Sequence, residues 1–253
     1  MDDLSGKTAL VTGSSTGIGA AVAEAFGARG MKVAVHYHAS KTAAEDVAHK
    51  IEKAGGKAAV LSGDVRKAEV AAGLIGQTVK AFGRLDILVN NAGDIVRRAP
   101  IRDATDDLYD AIMDLNARSV FVCCREAIPV FEKQGSGNII STSSLTARNG
   151  GGGGSVLYAG AKGFVSSFTR GLAKELAPKN VRVNAVSPGV IMTPMQDKHT
   201  SAEGLAAAIA ITPMKRTATP EECVGAYLYL ASDKASGFVT GQVIEVNGGI
   251  YMP

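Results

Sequence analysis

Charge of one sign is what this sequence most lacks: 27 basic residues stand against 24 acidic ones, a net charge of +3. So small a margin leaves no footprint for nucleic acid or an anionic membrane surface, although local basic sites remain open. Cysteine is scarce as well, and Cys123, Cys124 and Cys223 do not have the spacing of a metal site. Adjacent Cys123 and Cys124 would point to different sides of any regular element, so buried, reduced thiols are expected. The four histidines, His36, His38, His49 and His199, also lack the spacing of a shared ligand set, and no metal is expected. No apolar run approaches the ~18 residues that would span a bilayer. The acidic start MDDLSGKTALVTG has neither the basic flank nor the apolar stretch of a signal peptide, so a cytoplasmic location is expected. No proline-rich or charged linker divides the chain, and residues 1–253 are read as a single domain.

What is present is a rhythm. Short β-branched runs (7–12, 32–37, 58–61, 87–90, 138–142, 182–186 and 243–246) alternate with Ala-rich amphipathic stretches (18–29, 42–54, 68–82, 106–131, 158–176 and 220–231). That alternation predicts repeated βαβ units: an α/β, doubly wound (Rossmann) parallel seven-stranded sheet with helices on both faces. Residues 193–217 break the rhythm with Pro194, Pro213 and a short Ala-rich helix, and are read as a substrate lid.

Immediately after the first strand comes Gly13-Ser14-Ser15-Thr16-Gly17-Ile18-Gly19, leading into a helix. Strand, glycine turn and helix in that order let backbone N–H groups and a helix N-terminus hold a pyrophosphate. Gly13 permits the turn, Gly17 lets the backbone approach a ligand, and Gly19 lets the helix pack closely on the sheet. Two further motifs, Gly63-Asp64-Val65 and Asn90-Asn91-Ala92-Gly93, follow the third and fourth strands at the carboxyl ends where open parallel sheets bind ligands. On these residues the whole chain resembles the short-chain dehydrogenase/reductase family. The resemblance implies that the glycine turn, with Ser15, Thr16 and Ile18, holds the cofactor phosphates. It also implies that Asp64 and Val65 contact adenine, and that Asn91, Ala92 and Gly93 lie against the cofactor. The second strand ends without a carboxylate, and Tyr37 stands where the family's NAD-selecting Asp aligns. Ser40 and Lys41 could donate to a 2′-phosphate, which favours NADP, with NAD possible because Lys41 could equally be a solvated first-turn residue. The family's other NADP marker, a basic residue before the second glycine, is replaced here by Thr16.

Tyr158 and Lys162 are four apart on a predicted helix and so share a face. A Tyr with the ordinary pKa of ~10 exchanges protons poorly near neutrality. A neighbouring ammonium would lower that value and suit Tyr158 to general acid–base work. Taken alone, this spacing describes an ordinary core Tyr and surface Lys. The preceding strand, however, ends in Ser141-Thr142-Ser143-Ser144, so hydroxyls and Tyr158 could meet at one mouth of the sheet. The family's catalytic Ser stands thirteen residues before the Tyr. Aligned from the strand, Ser144 takes that place and Ser143 points elsewhere, with one extra residue absorbed by the five-glycine run Gly150–Gly154. That run is read as a pocket wall. The resemblance further implies that Asn116 holds a water linked to Lys162, that Pro188 and Gly189 lie beside the nicotinamide, that the Ile191 backbone meets its carboxamide, and that Thr193 lies near the pyrophosphate. The implied reaction is direct hydride transfer between NADP(H) and a carbonyl or secondary alcohol, with Ser144 placing the oxygen, Tyr158 moving the proton, and Lys162 lowering the Tyr158 pKa and binding ribose.

The closest likeness within the family is to 3-oxoacyl-thioester reductases and to sugar or polyol dehydrogenases. Acyl carrier protein is a possible carrier of the substrate: Lys179 fits one of the two basic docking places, while Gln134–Gly137 leaves the other uncharged. Arg97 and Arg98 could greet an anionic substrate or simply be solvated. A non-catalytic dinucleotide-binding regulator is the remaining alternative, disfavoured because a pure binder needs no proton donor. The family resemblance also implies a homotetramer.

Overall fold

The computed structural model describes residues 1–253. Seven parallel strands form one sheet in the order β3-β2-β1-β4-β5-β6-β7. These are β1 (Thr8–Val11), β2 (Lys32–Tyr37), β3 (Lys57–Ser62), β4 (Ile87–Asn90), β5 (Gly137–Thr142), β6 (Val181–Pro188) and β7 (Val243–Val246). The predicted doubly wound sheet is therefore present, with strand ends shifted by one or two residues. β6 runs furthest beyond expectation, to Pro188, which lacks an N–H; the ladder continues from the next residue, Gly189, whose N–H donates to Val246 O at 2.9 Å.

Alternation along the central strands divides the core. Ala9, Val11, Val33 and Val35 face a layer with Val22 and Phe26 of α1 (Gly17–Gly27), Val47 and Ile51 of α2 (Lys41–Lys53), and Tyr227 and Leu230 of α10 (Glu221–Ala231). Leu10, Ala34 and Leu88 face the opposite layer, with Leu74 of α3 (Ala68–Phe82), Phe131 of α5 (Ser119–Gln134) and Leu172 of α7 (Val156–Leu176). Full burial of each such side chain contributes about 1.5–3 kcal/mol, so the two layers hold the sheet rigid from both faces.

Three features depart from the sequence reading. The stretch 106–131 is not one helix: α4 (Asp106–Met113) passes through a π turn at Asp114–Arg118 into α5. Residues 193–217 hold two short helices rather than one, α8 (Pro194–His199) and α9 (Ala202–Ile211), neither with a buried residue. The five-glycine run follows a further turn of helix, α6 (Thr146–Asn149), and four of its members have positive φ. Gly154 needs that freedom most, at φ +78°, with the place of a Cβ only 2.8 Å from Ala99 N. The run is a shaped loop. The chain ends in α11 (Asp233–Ser236) and edge strand β7.

Candidate active site

The sheet order reverses between β1 and β4, and the crevice at their carboxyl ends is where a doubly wound fold takes its ligand. Thr12 bridges the switch point: its hydroxyl accepts from Asn91 N (3.0 Å) and Ala92 N (3.1 Å). The Asn91 amide group donates to Thr12 O and Gly13 O, both at 3.0 Å. Its Nδ2 being a donor twice, Asn91 Oδ1 must accept, and Thr142 Oγ1 lies 3.4 Å away to donate. The Thr142 hydroxyl in turn accepts a hydrogen bond from the buried Tyr227 phenol at 2.7 Å. The glycine turn, the Asn90–Gly93 motif and the strand carrying the serines are thus one hydrogen-bonded frame.

Gly13, Ser15, Thr16, Gly17, Ile18 and Gly19 sit at this frame. A Cβ on Gly19 would lie 2.3 Å from Gly13 O and 2.4 Å from Asn91 Nδ2, so its role is close packing of α1. A Cβ on Gly17 would lie 3.2 Å from Thr193 Cγ2, so the segment that follows β6 meets the glycine turn. Thr16 begins α1 with no side-chain cap, so the N–H groups of the first turn remain for a ligand.

His36, which sequence reasoning left without a role, holds the turn in place. It is buried; its Nδ1 accepts from Gly13 N (2.9 Å) and its Nε2 donates to Gly63 O (3.0 Å), which requires the neutral Nε2–H tautomer. Burial pushes its pKa down, with the Gly63 carbonyl and Asp64 opposing and His38 assisting. The available signal was a polar residue on a central strand, two positions from buried Ala34 on the same face, which must find partners.

At the adenosine end, Tyr37 is half-buried at the end of β2, while Ser40 and Lys41 begin α2. Ser40 makes no side-chain cap, and Lys41 Nζ is exposed, 3.5 Å from Glu45 Oε1. Asp64 is gripped by Arg66 in a fork at 2.6–3.0 Å, and Val65 is buried behind it. Pro188 and Gly189 pack on the end of β7, where a Cβ on Gly189 would lie 2.7 Å from Asn247 Cα. Ile191 is buried and bridges to Ala218.

The four residues read as catalytic come together. Lys162 is 2 % exposed, and its Nζ donates to Thr142 O at 2.8 Å and lies 5.7 Å from the Tyr158 ring centroid. The Tyr158 ring packs with Ile95, Leu108, Ile112 and Ala161. Ser144 Oγ accepts from Thr146 N (3.1 Å) and Thr146 Oγ1 (3.0 Å), which leaves its own proton to donate. Ser143 points elsewhere: its hydroxyl bonds Lys162 O and Ser166 Oγ. Asn116 lies in the π turn, where Nδ2 donates to Asp94 O and Ile112 O, both at 2.9 Å. Its Oδ1 is buried without a partner.

A Cβ on Gly93 would lie 2.7 Å from Asn116 Oδ1 and 3.0 Å from Lys162 Nζ. Glycine there keeps a polar hollow lined by an unpaired acceptor and an ammonium with donors to spare. That hollow, the uncapped helix and the glycine turn fit a nicotinamide dinucleotide: the turn would hold its phosphates, and Lys162 a ribose hydroxyl. Gly93→Ala is expected to lower stability by about 1–3 kcal/mol through overpacking and to weaken dinucleotide binding. Thermal unfolding and cofactor titration measure the two effects, and an unchanged melt would show the hollow to be wider than this geometry.

One electrostatic expectation fails. Lys162 does not bring the Tyr158 pKa down; burial pushes that phenol up to about 12, against the Ser144 hydroxyl and with the Asp94 charge. The same burial lowers Lys162 to about 8. Desolvation acts on both charged forms and outweighs their mutual attraction. Buried Tyr158 therefore keeps its proton and is set to donate it.

Arg98 is half-buried rather than solvated. Its Nε donates to His199 O (2.7 Å), and its Nη1 to Gly152 O (3.0 Å) and Gly153 O (3.2 Å). The cysteines are buried; Cys123 donates to Ala71 O, and burial raises all three thiols.

Comparison with known proteins agrees with this geometry. Residues 13–251 match the family described as Enoyl-(Acyl carrier protein) reductase. A 3-oxoacyl-(acyl-carrier-protein) reductase of Synechocystis sp. is 41% identical over 252 residues, covering 100% of both chains. An NADH-dependent reductase responsible for alginate metabolism superposes with a TM-score of 0.92 at 35% identity, again over 100% of both. A short-chain dehydrogenase from Burkholderia cenocepacia in complex with NADP gives a TM-score of 0.91 at 33% identity, covering 98% of this chain and 99% of that one.

Proposed function

Because the chain belongs to the short-chain dehydrogenase/reductase family of NAD(P)-dependent oxidoreductases, we propose that it reduces a 3-oxoacyl thioester to the 3-hydroxyacyl product with NADPH. The observation that carries the carbonyl assignment is that Ser144, whose Oγ already accepts twice from Thr146, turns its own proton toward the protonated Tyr158 phenol. Two neighbouring hydroxyls, each able to donate, suit a single substrate oxygen. When bound, the reduced nicotinamide supplies the hydride. Ser144 orients the carbonyl oxygen, Tyr158 delivers the proton to it as the alkoxide forms, Lys162 binds the ribose, and Asn116 holds the donor that refills the proton path. Residues 1–253 act as one catalytic domain, with residues 193–217 as the lid over the substrate.

The thioester reading draws support from the Synechocystis relative. Lys179, ion-paired with exposed Glu132, can still be offered to an acidic carrier protein, since exposed pairs are weakly held. A sugar or polyol substrate is the second reading, favoured by the likeness to the alginate-metabolism reductase. NADP over NAD is supported by the lack of a carboxylate on β2 beside Tyr37 and by the exposed Ser40 and Lys41. A homotetramer is supported by the exposed Tyr109, Phe121, Val156 and Phe164 on α4, α5 and α7, and by the fully exposed Phe238 before edge strand β7. No helix is long and apolar enough to cross a membrane.

The test follows nicotinamide absorbance with NADPH and with NADH against acetoacetyl thioesters, diketones and sugar ketones. Acetoacetyl thioesters are expected to have the highest kcat/KM, and Lys41→Ala to raise KM for NADPH about 10-fold while leaving NADH unchanged, the loss of one charge-assisted contact. A higher kcat/KM with sugar ketones moves the assignment to the second reading. Preference for NADH overturns the cofactor, and cofactor binding without turnover points to a regulator.

A further inference from the structure

No residue of 194–211 is buried as a whole, and the His199 side chain is the one that reaches inward to hold the segment. Their hydrogen-bond partners outside the segment 193–217 are two residues, Asp94 and Arg98. His199 Nε2 donates to Asp94 Oδ1 at 2.6 Å and Lys198 Nζ to Asp94 Oδ2 at 3.0 Å. The His199 side chain is 7 % exposed, so this contact is shielded where most surface pairs are not. Arg98 adds the third tie, from His199 O to the carbonyls of Gly152 and Gly153. Asp94 is also fastened below: its carbonyl accepts from Asn116 Nδ2, and it follows Gly93 directly. Burial pushes the Asp94 carboxyl up, but the Lys198 hydrogen bond and the His199 charge outweigh this and hold it below the ordinary range. Its charge also acts on Tyr158.

From these contacts we infer that Asp94, assisted by Arg98, is the latch of the lid: a positioning residue that joins the closed 194–211 segment and the glycine loop to the floor carrying Asn116 and Lys162. With Met195, Leu205 and Ile209 only half-buried and outside the core clusters, the closed position depends on a few charge-assisted hydrogen bonds, which can break and re-form during turnover. Opening the lid would strip the Lys198 ammonium and the His199 N–H donor from Asp94 and leave its charge unshielded beside Tyr158. Proton donation is then easiest to arrange with the lid shut. Substrate engagement, rather than dinucleotide binding, is what the latch governs. The inference rests on the reading of 193–217 as a lid over Tyr158.

Hydrogen–deuterium exchange on the apo protein tests the latch without requiring turnover. Asp94→Asn keeps the side-chain shape and the backbone bond to Asn116 but removes the charge. Losing charge-assisted bonds of this kind is expected to speed exchange of the 194–211 amides about 10-fold or more and to raise KM for acetoacetyl-coenzyme A about 10-fold, with NADPH affinity within about twofold of wild type. Asp94→Glu should recover part of both, and Arg98→Ala should speed exchange in 194–211 and in the glycine loop together. Trypsin cleavage at Lys198 should accelerate in parallel. Unchanged exchange in both Asp94→Asn and Arg98→Ala overturns the latch. Exchange that rises equally across α4 and α7 also overturns it, since Asp94 would then be a general structural support. Lack of turnover on any carbonyl substrate would defeat the proposed reaction, while the exchange result would still decide the latch.

Discussion

Tyr158→Phe is expected to lower kcat for carbonyl reduction by about 10²–10⁴, the range for removing a positioned acid, while NADPH affinity and melting temperature stay near wild type. The phenol sits in a small apolar cluster, and Phe fills the same volume, so the change isolates the proton. Burial pushes Tyr158 up to about 12, so the donating form persists through the neutral range. Its own titration therefore causes no loss of reduction rate between pH 6 and 8. The first decline should begin near 8, where buried Lys162 gives up its charge. In the alcohol-oxidising direction the requirement reverses: the phenolate is the base, and the rate should climb with pH. Steady-state kinetics in both directions across pH 6–10 check both signs. A Tyr158→Phe enzyme within threefold of wild type would remove Tyr158 from the mechanism.

The parts of this site that were legible in the sequence are those carried by local pattern. β-branched runs between Ala-rich stretches can form strands buried on both faces, which is why β2 and β4 begin and end where expected. The glycine turn was legible because its position after a strand and before a helix is itself local. What escaped depends on partners far away in the chain. The π turn at Asp114–Arg118 carries Asn116, whose amide is bound to Asp94 O, 22 residues away, and no propensity in DLNAR distinguishes it from ordinary helix. His36 meets Gly13 across 23 residues, and Asp94 meets His199 across 105. Arg98 was visible as a cation, but that its partners would be carbonyls of the lid and the glycine loop depends on how those loops fold back. The direction of the Tyr158 shift was misjudged for a related reason: spacing put an ammonium nearby, but the desolvation that dominates depends on how completely the helix and the Ile95–Leu108 cluster exclude water.

Lys162→Met should separate stability from function. Full burial lowers Lys162 from 10.5 to about 8. At ~1.4 kcal/mol per pH unit between those values, keeping the ammonium in the fold costs on the order of 3 kcal/mol at neutral pH. Below about pH 8 both folded and unfolded chains carry the proton and the cost is complete. Between 8 and 10.5 the unfolded chain binds more protons than the folded one, so this group makes stability rise with pH, and above 10.5 the cost is gone. Met matches the length and apolar character of the side chain but leaves Thr142 O without its 2.8 Å donor, a loss of about 1–3 kcal/mol. Set against the desolvation gain, this leaves a net stabilisation of about 0–2 kcal/mol expected at pH 7. Over pH 8–10.5 the wild type should gain on the variant until the difference closes or reverses. Activity should move the opposite way: without the ammonium beside the Tyr158 ring and the Gly93 hollow, turnover should fall by about 10²-fold or more. Paired melting curves at pH 7 and pH 10, with kcat measured at pH 7, decide the matter. A variant that melts below wild type at pH 7 would mean that the Thr142 bond and the cation–ring contact outweigh desolvation, and that Lys162 is held for the fold as much as for the chemistry.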